Sequence, residues 1–380
     1  MDLRLFFDSV QDQIGGFDSE IASLGTHIFN NFSQIPRWKD VDIAIIGINE
    51  QRGSKNNHCQ SNSADQVRKK LYALKKSKTP VIVDLGNLRI GENLEQTYLR
   101  LSEVLENLMV QNIVPVIIGA SHDLQIGQYW AYQAMEKLVY LLNIDHCIDL
   151  GEEQNPSKNH LHQIFTHEPN YLFSFGQIAY QTYLTDAEKI EIFRKLNFDL
   201  VSVGEFRNQP KNIEALIRSA DLIGFDVSAI KKNDAMGNAN ASPFGLTAEE
   251  ACQMAWYAGM SNKLSSFGIY EYNADFDDKG HTASVLATMI WYFIEGFGYR
   301  QKGFELKNNF HIKYIVPFLD MNYQLIFYKS ALTEQWWLEI PEDLNVYTQK
   351  KLIPCSYSDY QEASQGNLPD CWVKAMSRDL

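Results

Sequence analysis

Apolar and polar residues along this chain alternate in a pattern that predicts strands and helices in turn. Short runs of buried-strand character at 41–48, 79–86 and 114–120 are separated by longer segments with helical spacing, and the pattern continues to about residue 297. Strands that alternate with helices in this way pack side by side as a parallel sheet. The pattern therefore predicts an α/β fold built on a mostly parallel sheet.

Beyond residue 120 the same pattern adds further strands and two helices with clear boundaries. Buried strands are predicted at 139–145, 170–176, 200–205, 220–227 and 265–273. One helix covers 245–259, where Thr247 and Glu250 have the spacing of a capping box, and the other covers 281–297. These elements extend the predicted sheet and the helices that cover it.

Two segments lie outside this alternation, so we divide the chain into three parts. Residues 1–40 indicate a mainly helical N-terminal lead-in, residues 41–300 hold the α/β domain, and residues 301–380 form a C-terminal extension. Within the extension, the alternating runs HIKYIVPFLD and YQLIFYKS are joined by a short Met-Asn turn and predict a β-hairpin. No repeat or low-complexity linker separates the parts, so we expect both additions to pack on the same domain.

Composition and charge exclude several classes of protein. Hydrophobic residues make up 45% of the 380 positions and aromatic residues 12%, which is typical of a packed globular chain. The net charge is −13, and the basic residues are scattered, so no surface for nucleic acid or an anionic membrane is expected. No apolar run reaches the roughly 20 residues of a membrane helix. Acidic residues interrupt the first segment, MDLRLFFDSV, where a signal peptide needs an apolar stretch, so none is expected. We therefore expect a cytoplasmic protein.

Polar residues follow four of the predicted strands, at GASHD (119–123), DHCID (145–149), FDVS (225–228) and YEYN (270–273). Each cluster taken singly has an ordinary structural explanation, because polar residues at strand ends often cap helices or satisfy loop backbone. The carboxyl ends of parallel strands meet at one edge of a sheet, however, and a hard divalent cation needs oxygen ligands that converge from several strands. Together the clusters predict a metal site.

These segments resemble the motifs of the ureohydrolase family, which contains arginases, agmatinases and formimidoylglutamases. The family motifs GGxH, DAHxD, SFDxDxxDP and ExNP with DxxGRTA correspond in order to GASH, DHCID, FDVSAIKK and EYNADFDDKGHTA. GLTAEEA at 245–251 and DLGNL at 84–88 are also similar to family segments. The resemblance covers about residues 41–297. It implies a three-layer α/β/α sandwich around a mostly parallel sheet.

The resemblance also implies a set of metal ligands. In that family two manganese ions share a bridging hydroxide. The positions that bind the first ion are complete in this chain, and they are His122, Asp145, Asp149 and Asp226. The second ion would require a histidine and an aspartate where this chain has Cys147 and Ser228. A neutral serine is a poor ligand for a hard cation, and a cysteine favours softer metals. We therefore expect one Mn²⁺, with zinc or another divalent ion as the alternative, and a degenerate second site.

The neighbouring His146 does not repair the second site by a change of alignment. A shift of one residue would place Ile144 and Ile148 at the aspartate positions, so we reject it. Lys231 and Lys232 also replace the Asp-Pro pair of the family motif, which removes a further acid from the surroundings of the site.

The resemblance assigns catalytic roles to two residues. Glu271 matches the glutamate that holds the planar cationic group of the substrate, and Asp149 would orient the nucleophile and pass its proton to the leaving amine. The implied partner is a small cationic amidine or guanidine. The segment LGEEQNPSKNH does not align with the family's substrate loop, so the identity of the substrate stays open.

Three hypotheses about function remain. The first is a metal-dependent hydrolase of linear amidine or guanidine C–N bonds that works with a single ion. The second is a catalytically inactive arginase-fold protein with a binding or regulatory role, because fold and function can separate. A third, weaker hypothesis is a single-metal deacylase, because deacetylases of related fold also use one ion. The metal site of those enzymes resembles the second site, which is degenerate in this chain. Family members are often trimers or hexamers, so a homo-oligomer is also an expectation.

Overall fold

A computed structural model describes residues 2–10, 23–76, 80–151, 154–300, 311–318, 323–331, 333–343 and 346–378. Within these ranges ten strands form one sheet and four form a second. The strands of the large sheet are β1 (Phe7–Asp8), β2 (Ile28–Phe29), β3 (Ile43–Ile48), β4 (Ile82–Leu88), β5 (Val114–Ile118), β6 (Val139–Ile144), β7 (Leu172–Tyr180), β8 (Asp199–Ser202), β9 (Leu222–Asp226) and β10 (Ser266–Tyr270).

The large sheet has the order β1-β4-β3-β5-β10-β9-β6-β7-β8, with β2 also paired to β4. Its pairings are parallel, apart from the antiparallel pairing of β1 with β4. The mostly parallel sheet predicted from the sequence is confirmed. In this order β5, β10, β9 and β6 are neighbours, although they are far apart along the chain.

Helices follow most of the strands. They are α1 (Ser63–Ala73), α2 (Leu94–Met109), α3 (Gln125–Ala134), α4 (His160–Phe165), α5 (Ala187–Lys195), α6 (Val203–Asn208), α7 (Pro210–Ser219), α8 (Ala248–Met260) and α9 (His281–Phe297). None of the helices within the described ranges is long and apolar enough to span a membrane.

The two faces of the large sheet pack into two separate apolar cores, which makes the domain three layers thick. Ile43 and Ile45 of β3 pack in one core with residues of α1, α8 and α9, whereas Ala44 and Ile46 pack in the other with residues of α2 and α3. Successive side chains of a strand point to opposite faces, so an all-apolar strand requires a helical layer on each side. The α/β/α sandwich is confirmed.

Helix capping decides two local boundaries. The amide of Glu250 donates to Thr247 Oγ1 (3.1 Å) and the amide of Thr247 donates to Glu250 Oε2 (2.7 Å), which is the predicted capping box. A second box joins Ser202 and Glu205 in the same way. The strand predicted over 200–205 is therefore wrong in its second half, because Ser202 ends β8 and begins α6.

The lead-in, for which the sequence predicts mainly helical structure, contains 3₁₀ turns at Leu3–Leu5, Leu24–His27, Phe32–Gln34 and Trp38–Asp40, together with β1 and β2. Residues 11–22 lie outside the described residues. β2 pairs with the beginning of β4 and β1 with its end, on the edge of β4 that faces away from β3. Two short pieces of the lead-in therefore cover the outer edge of β4.

The extension contains the second sheet and two helices. Its strands are β11 (His311–Phe318), β12 (Tyr323–Ser330), β13 (Trp336–Asp343) and β14 (Val346–Cys355), and its helices are α10 (Tyr357–Ser364) and α11 (Asp370–Arg378). β11 and β12 pair antiparallel, as the hairpin prediction requires, while the predicted Met-Asn turn lies outside the described residues. The extension contacts α7, where the Arg218 guanidinium lies over the Trp337 ring at 4.9 Å.

Candidate metal centre

The four residues predicted to bind the first ion lie at the carboxyl edge of the large sheet. His122 begins a 3₁₀ turn after β5, Asp145 follows β6 directly, and Asp226 is the last residue of β9. Asp149 lies four residues after Asp145, in the loop that leads to α4. Because β5, β10, β9 and β6 are adjacent, the fold brings these distant parts of the sequence to one place.

The side chains converge on a common point. His122 Nδ1 lies 3.2 Å from Asp226 Oδ2, 3.4 Å from Asp149 Oδ2 and 3.7 Å from Asp145 Oδ2. All four residues are buried, and one candidate ligand atom from each lies within 4.8 Å of the others. The structure thus brings together the whole set predicted from the sequence.

The two oxygens of each aspartate have different surroundings. The Oδ1 atom of Asp145 contacts His146 Nδ1 (2.7 Å), that of Asp149 contacts Lys158 Nζ (3.1 Å), and that of Asp226 accepts from the Ser228 amide (2.7 Å). The three Oδ2 atoms and both ring nitrogens of His122 have no hydrogen-bond partner among the described residues.

Buried polar atoms without partners are costly, so a group of them aimed at one point indicates that something else binds there. Three carboxylate oxygens and one imidazole nitrogen suit a divalent cation such as Mn²⁺ or Zn²⁺. The residues therefore fit the ion that the sequence predicts for the first position.

The residues predicted for the second position have other partners. Ser228 Oγ contacts His146 Nδ1 (2.5 Å) and donates to Asp145 Oδ1 (3.2 Å). Cys147 Sγ donates to Asp149 Oδ1 (3.2 Å) and accepts from Lys158 Nζ (3.5 Å). At the predicted second position, Cys147 and Ser228 thus form hydrogen bonds with other side chains of the protein.

Sequence reasoning missed two residues of the centre, Lys158 and His160. Both lie in the segment LGEEQNPSKNH, directly after the DHCID motif. The ring of His160 lies 4.3 Å from that of His122, and its Nδ1 contacts the Ser157 carbonyl (2.9 Å), while its Nε2 has no partner among the described residues. The sequence signal that could have identified them was a lysine and a histidine in the loop after β6, the strand that also leads to Asp145.

Comparison with known proteins identifies the family. A model of the arginase family matches residues 41–295, which is more than half of the chain. The chain belongs to the arginase family. The match covers the α/β domain and leaves out the lead-in and the extension.

Curated relatives of this arginase-family chain include two formimidoylglutamases. The one from Corynebacterium efficiens is 21% identical over 275 residues, which cover 69% of this chain and 88% of the relative. The one from Staphylococcus haemolyticus is 24% identical over 285 residues, which cover 70% and 90%. The chain is therefore similar to nearly the whole length of these relatives.

Solved structures share the fold of this arginase-family chain. Formiminoglutamase from Trypanosoma cruzi, determined with Mn²⁺, has a TM-score of 0.63 and 21% identity, over 70% of this chain and 97% of that one. Formimidoylglutamase from Bacillus subtilis has a TM-score of 0.66 and 14% identity, over 76% and 96%. Agmatine ureohydrolase from Thermoplasma volcanium has a TM-score of 0.58 and 18% identity, over 73% and 94%.

Glu271 follows β10, between the strands that carry His122 and Asp226. Its backbone is left-handed, with φ of 63°, a conformation that non-glycine residues rarely adopt. The Asn57 and Asn238 side chains donate to its carbonyl oxygen, at 2.8 and 2.7 Å, and its Oε1 accepts from the His122 amide at 3.0 Å. In this arginase-family site Glu271 is therefore fixed against the loop that carries His122.

Charges within the centre shift several pKa values. Burial lowers the pKa of His122, but the carboxylates of Asp149 and Asp226 outweigh it and raise that pKa to about 10. Burial acts to raise the pKa of Asp149, yet the Lys158 ammonium and His122 hold it well below its ordinary value. Burial, together with Asp226, raises the pKa of Glu271 to about 7.

The two residues from the loop are shifted in opposite directions. Burial opposes the charged form of Lys158, but Asp149 and other anionic groups raise its pKa well above the ordinary value, so its side chain is an ammonium. Burial and the charge of His122 lower the pKa of His160 well below its ordinary value, so its ring is neutral. The centre thus contains a fixed positive charge and a neutral imidazole that no motif predicted.

Proposed function

We propose that this chain is a hydrolase of linear amidine or guanidine C–N bonds that uses one divalent ion, with Mn²⁺ as the first candidate. The observation that carries the proposal is the convergence on His122 Nδ1 of three Oδ2 atoms that have no hydrogen-bond partner in the described part of the chain. His122, Asp145, Asp149 and Asp226 would hold the ion. When bound, such an ion lowers the pKa of a water molecule and so supplies a stronger nucleophile at neutral pH.

Two of the protein's own groups would act on the reactants. The Glu271 carboxylate would receive the planar amidinium or guanidinium group, because a carboxylate can accept two parallel N–H bonds from it. The Asp149 carboxylate would orient the attacking water and carry a proton from it to the departing nitrogen. Water adds to the amidino carbon, the bond from that carbon to the substituted nitrogen breaks, and the products are an amine with formamide or urea.

We infer the route by which a substrate would reach the centre from which surrounding side chains are partly exposed to solvent. His122, Asp145, Asp149, Asp226 and Glu271 are all buried, whereas Cys147 and Lys158 are partly exposed. A substrate would therefore enter past Cys147 and Lys158. The relatives named formimidoylglutamase make formimidoylglutamate the first substrate to test, and the fold shared with agmatine ureohydrolase makes agmatine the second.

A catalytically inactive binding protein is the second candidate, and a specific observation favours it. Asp149 is the residue that would move the proton, yet one of its oxygens contacts the Lys158 ammonium at 3.1 Å. A carboxylate held in its charged form by an ammonium is a weaker proton acceptor. Under this alternative the chain binds one ion and turns over none of the substrates.

The test is an assay of the Mn²⁺-loaded protein, at high enzyme concentration, with formimidoylglutamate, agmatine, arginine and guanidinobutyrate. The release of formamide or urea is measured, with the chelated protein as the matched control. We expect Mn²⁺-dependent turnover of at least one compound. Ion binding without turnover of any of them would favour the inactive alternative, and a protein that binds no divalent ion would contradict both.

A further inference from the structure

Lys158 occupies a distinctive place beside the predicted second ion position. It ends the short 3₁₀ helix Pro156–Lys158, and its Nζ lies 3.1 Å from Asp149 Oδ1 and 3.5 Å from Cys147 Sγ. Cys147 stands where an imidazole would bind a second ion in the family motif. The ammonium therefore contacts one side chain of the predicted second position, Cys147, and one proposed ligand of the first ion, Asp149.

We propose that the Lys158 ammonium takes the place of a second divalent cation, so that this centre holds one ion and one fixed positive charge. This inference rests on the proposed single-ion site. Lys158 is then the residue that limits the centre to a single ion.

The charges of the centre are consistent with this exchange. A two-ion site of the family pattern has four aspartates, and two divalent cations balance them. In this chain Ser228 removes one aspartate, which leaves Asp145, Asp149 and Asp226. One divalent cation and one ammonium balance three carboxylates. The loss of one negative charge at Ser228 therefore matches the replacement of a divalent cation by the singly charged Lys158 ammonium. The buried charges stay balanced in both arrangements.

The hydrogen bonds divide the centre in the same way. On the side of Lys158, His146 and Ser228, the Oδ1 atoms of Asp145 and Asp149 already have partners. On the side of His122, the Oδ2 atoms have none among the described residues. Among the described residues, carboxylate oxygens are thus left for a cation on the His122 side only, which is the arrangement expected if protein groups fill the other side permanently.

The backbone fixes Lys158 in this position. Its carbonyl accepts from the Gly151 amide at 2.7 Å, and the Ser157 amide donates to the Gly53 carbonyl at 2.9 Å. The side chain is 25% exposed, so most of it is enclosed. A lysine held at both its backbone and its ammonium is a built part of the centre, unlike a surface lysine that pairs transiently.

The test compares Mn²⁺ stoichiometry in four proteins, after loading and removal of free ion. They are the wild type, Lys158→Met, the double variant Cys147→His/Ser228→Asp, and the triple variant that combines all three changes. We expect one ion per chain in the wild type and the double variant, and two in the triple variant. Electron paramagnetic resonance gives a second readout, because two neighbouring Mn²⁺ ions show a spin-coupled spectrum that one ion cannot.

Two ions per chain in the double variant, with Lys158 in place, would overturn the inference. A triple variant that is folded by circular dichroism and still binds a single ion would also overturn it. The matched control is Lys158→Arg in the double-variant background, which keeps the charge and should keep the single ion. These measurements use Mn²⁺ alone, so a lack of turnover with substrates would count against the proposed function and not against this inference.

Discussion

Asn57 donates two hydrogen bonds to Glu271, one to its main-chain oxygen at 2.8 Å and one to its Oε2 at 2.9 Å. Both residues are buried, and Glu271 has a left-handed backbone that needs support from its surroundings. We therefore expect Asn57→Ala to lower the free energy of unfolding by about 1–3 kcal/mol, because it removes two buried hydrogen bonds that support Glu271. Urea denaturation measures the change.

The neighbouring Asn56 provides the control for that prediction. It is exposed, so Asn56→Ala should leave the unfolding free energy nearly unchanged. Equal effects of the two substitutions would show that the support of Glu271 by Asn57 contributes little to stability.

A second prediction concerns the charge of Glu271. Glu271→Gln keeps the size of the side chain and removes its negative charge, and we expect kcat/KM to fall about 10- to 100-fold, the value of one charge-assisted hydrogen bond. Mn²⁺ occupancy should stay the same, because Glu271 lies outside the four proposed ligands. Steady-state assays and metal analysis of the same sample separate the two effects. Unchanged kcat/KM would remove Glu271 from substrate binding.

The proposed metal ligands lead to a third prediction, with a matched control one residue from His122. Asp226→Asn should sharply reduce Mn²⁺ binding in isothermal titration, because it removes one of three charged oxygens that face the ion position. Asp123→Asn should leave binding intact, since the carboxylate of Asp123 is also buried but bonds to Tyr98 and Ser121. Retention of full affinity by Asp226→Asn would contradict the proposed ligand set.

If the proposed ion binds, its removal should destabilise the fold. An ion that binds the folded chain alone stabilises it by about 2.7 kcal/mol when its free concentration is 100 times the dissociation constant. We expect chelation to lower the melting temperature and Mn²⁺ to restore it, whereas a monovalent salt at equal ionic strength should not. Identical melting curves with and without Mn²⁺ would argue against binding.

A fifth prediction tests the buried charge cluster between α1 and β4. Arg68 is fully buried and donates to both oxygens of Asp84, at 2.8 and 2.9 Å. Arg68→Met leaves Asp84 buried without its partner, which should lower stability by about 3–5 kcal/mol. Arg37→Met is the control, since Arg37 pairs with Asp40 at the surface with 74% of its side chain exposed. Similar losses from both would refute this explanation.

The fold and the polar clusters at the strand ends could be predicted from regular patterns, whereas the four ligand residues were predicted from the resemblance of those clusters to the ureohydrolase motifs. Alternating strands and helices identify a parallel sheet, and Asp145 and Asp226 lie at the ends of strands that share one edge. The helix α6 was missed for a local reason, since the capping box of Ser202 and Glu205 ends β8 inside an apolar run.

Lys158 and His160 could not be predicted in the same way. They lie in an irregular loop, where neither a helical nor a strand period fixes the direction of a side chain. Their positions depend on individual backbone contacts, such as that of the Lys158 carbonyl with the Gly151 amide. Contacts of this kind form only in the folded chain, so the sequence pattern does not reveal them. The residue types of Lys158 and His160 were nevertheless compatible with a place at the candidate metal centre.

The two short strands of the lead-in have a consequence for solubility. β1 and β2 occupy the outer edge of β4, a strand of seven residues that are all buried. A chain shortened to begin at Val41 would leave that edge open, with unpaired peptide groups beside apolar side chains. Such an edge pairs readily with the same edge of another molecule. The shortened protein should therefore form aggregates even though the residues around His122 are untouched.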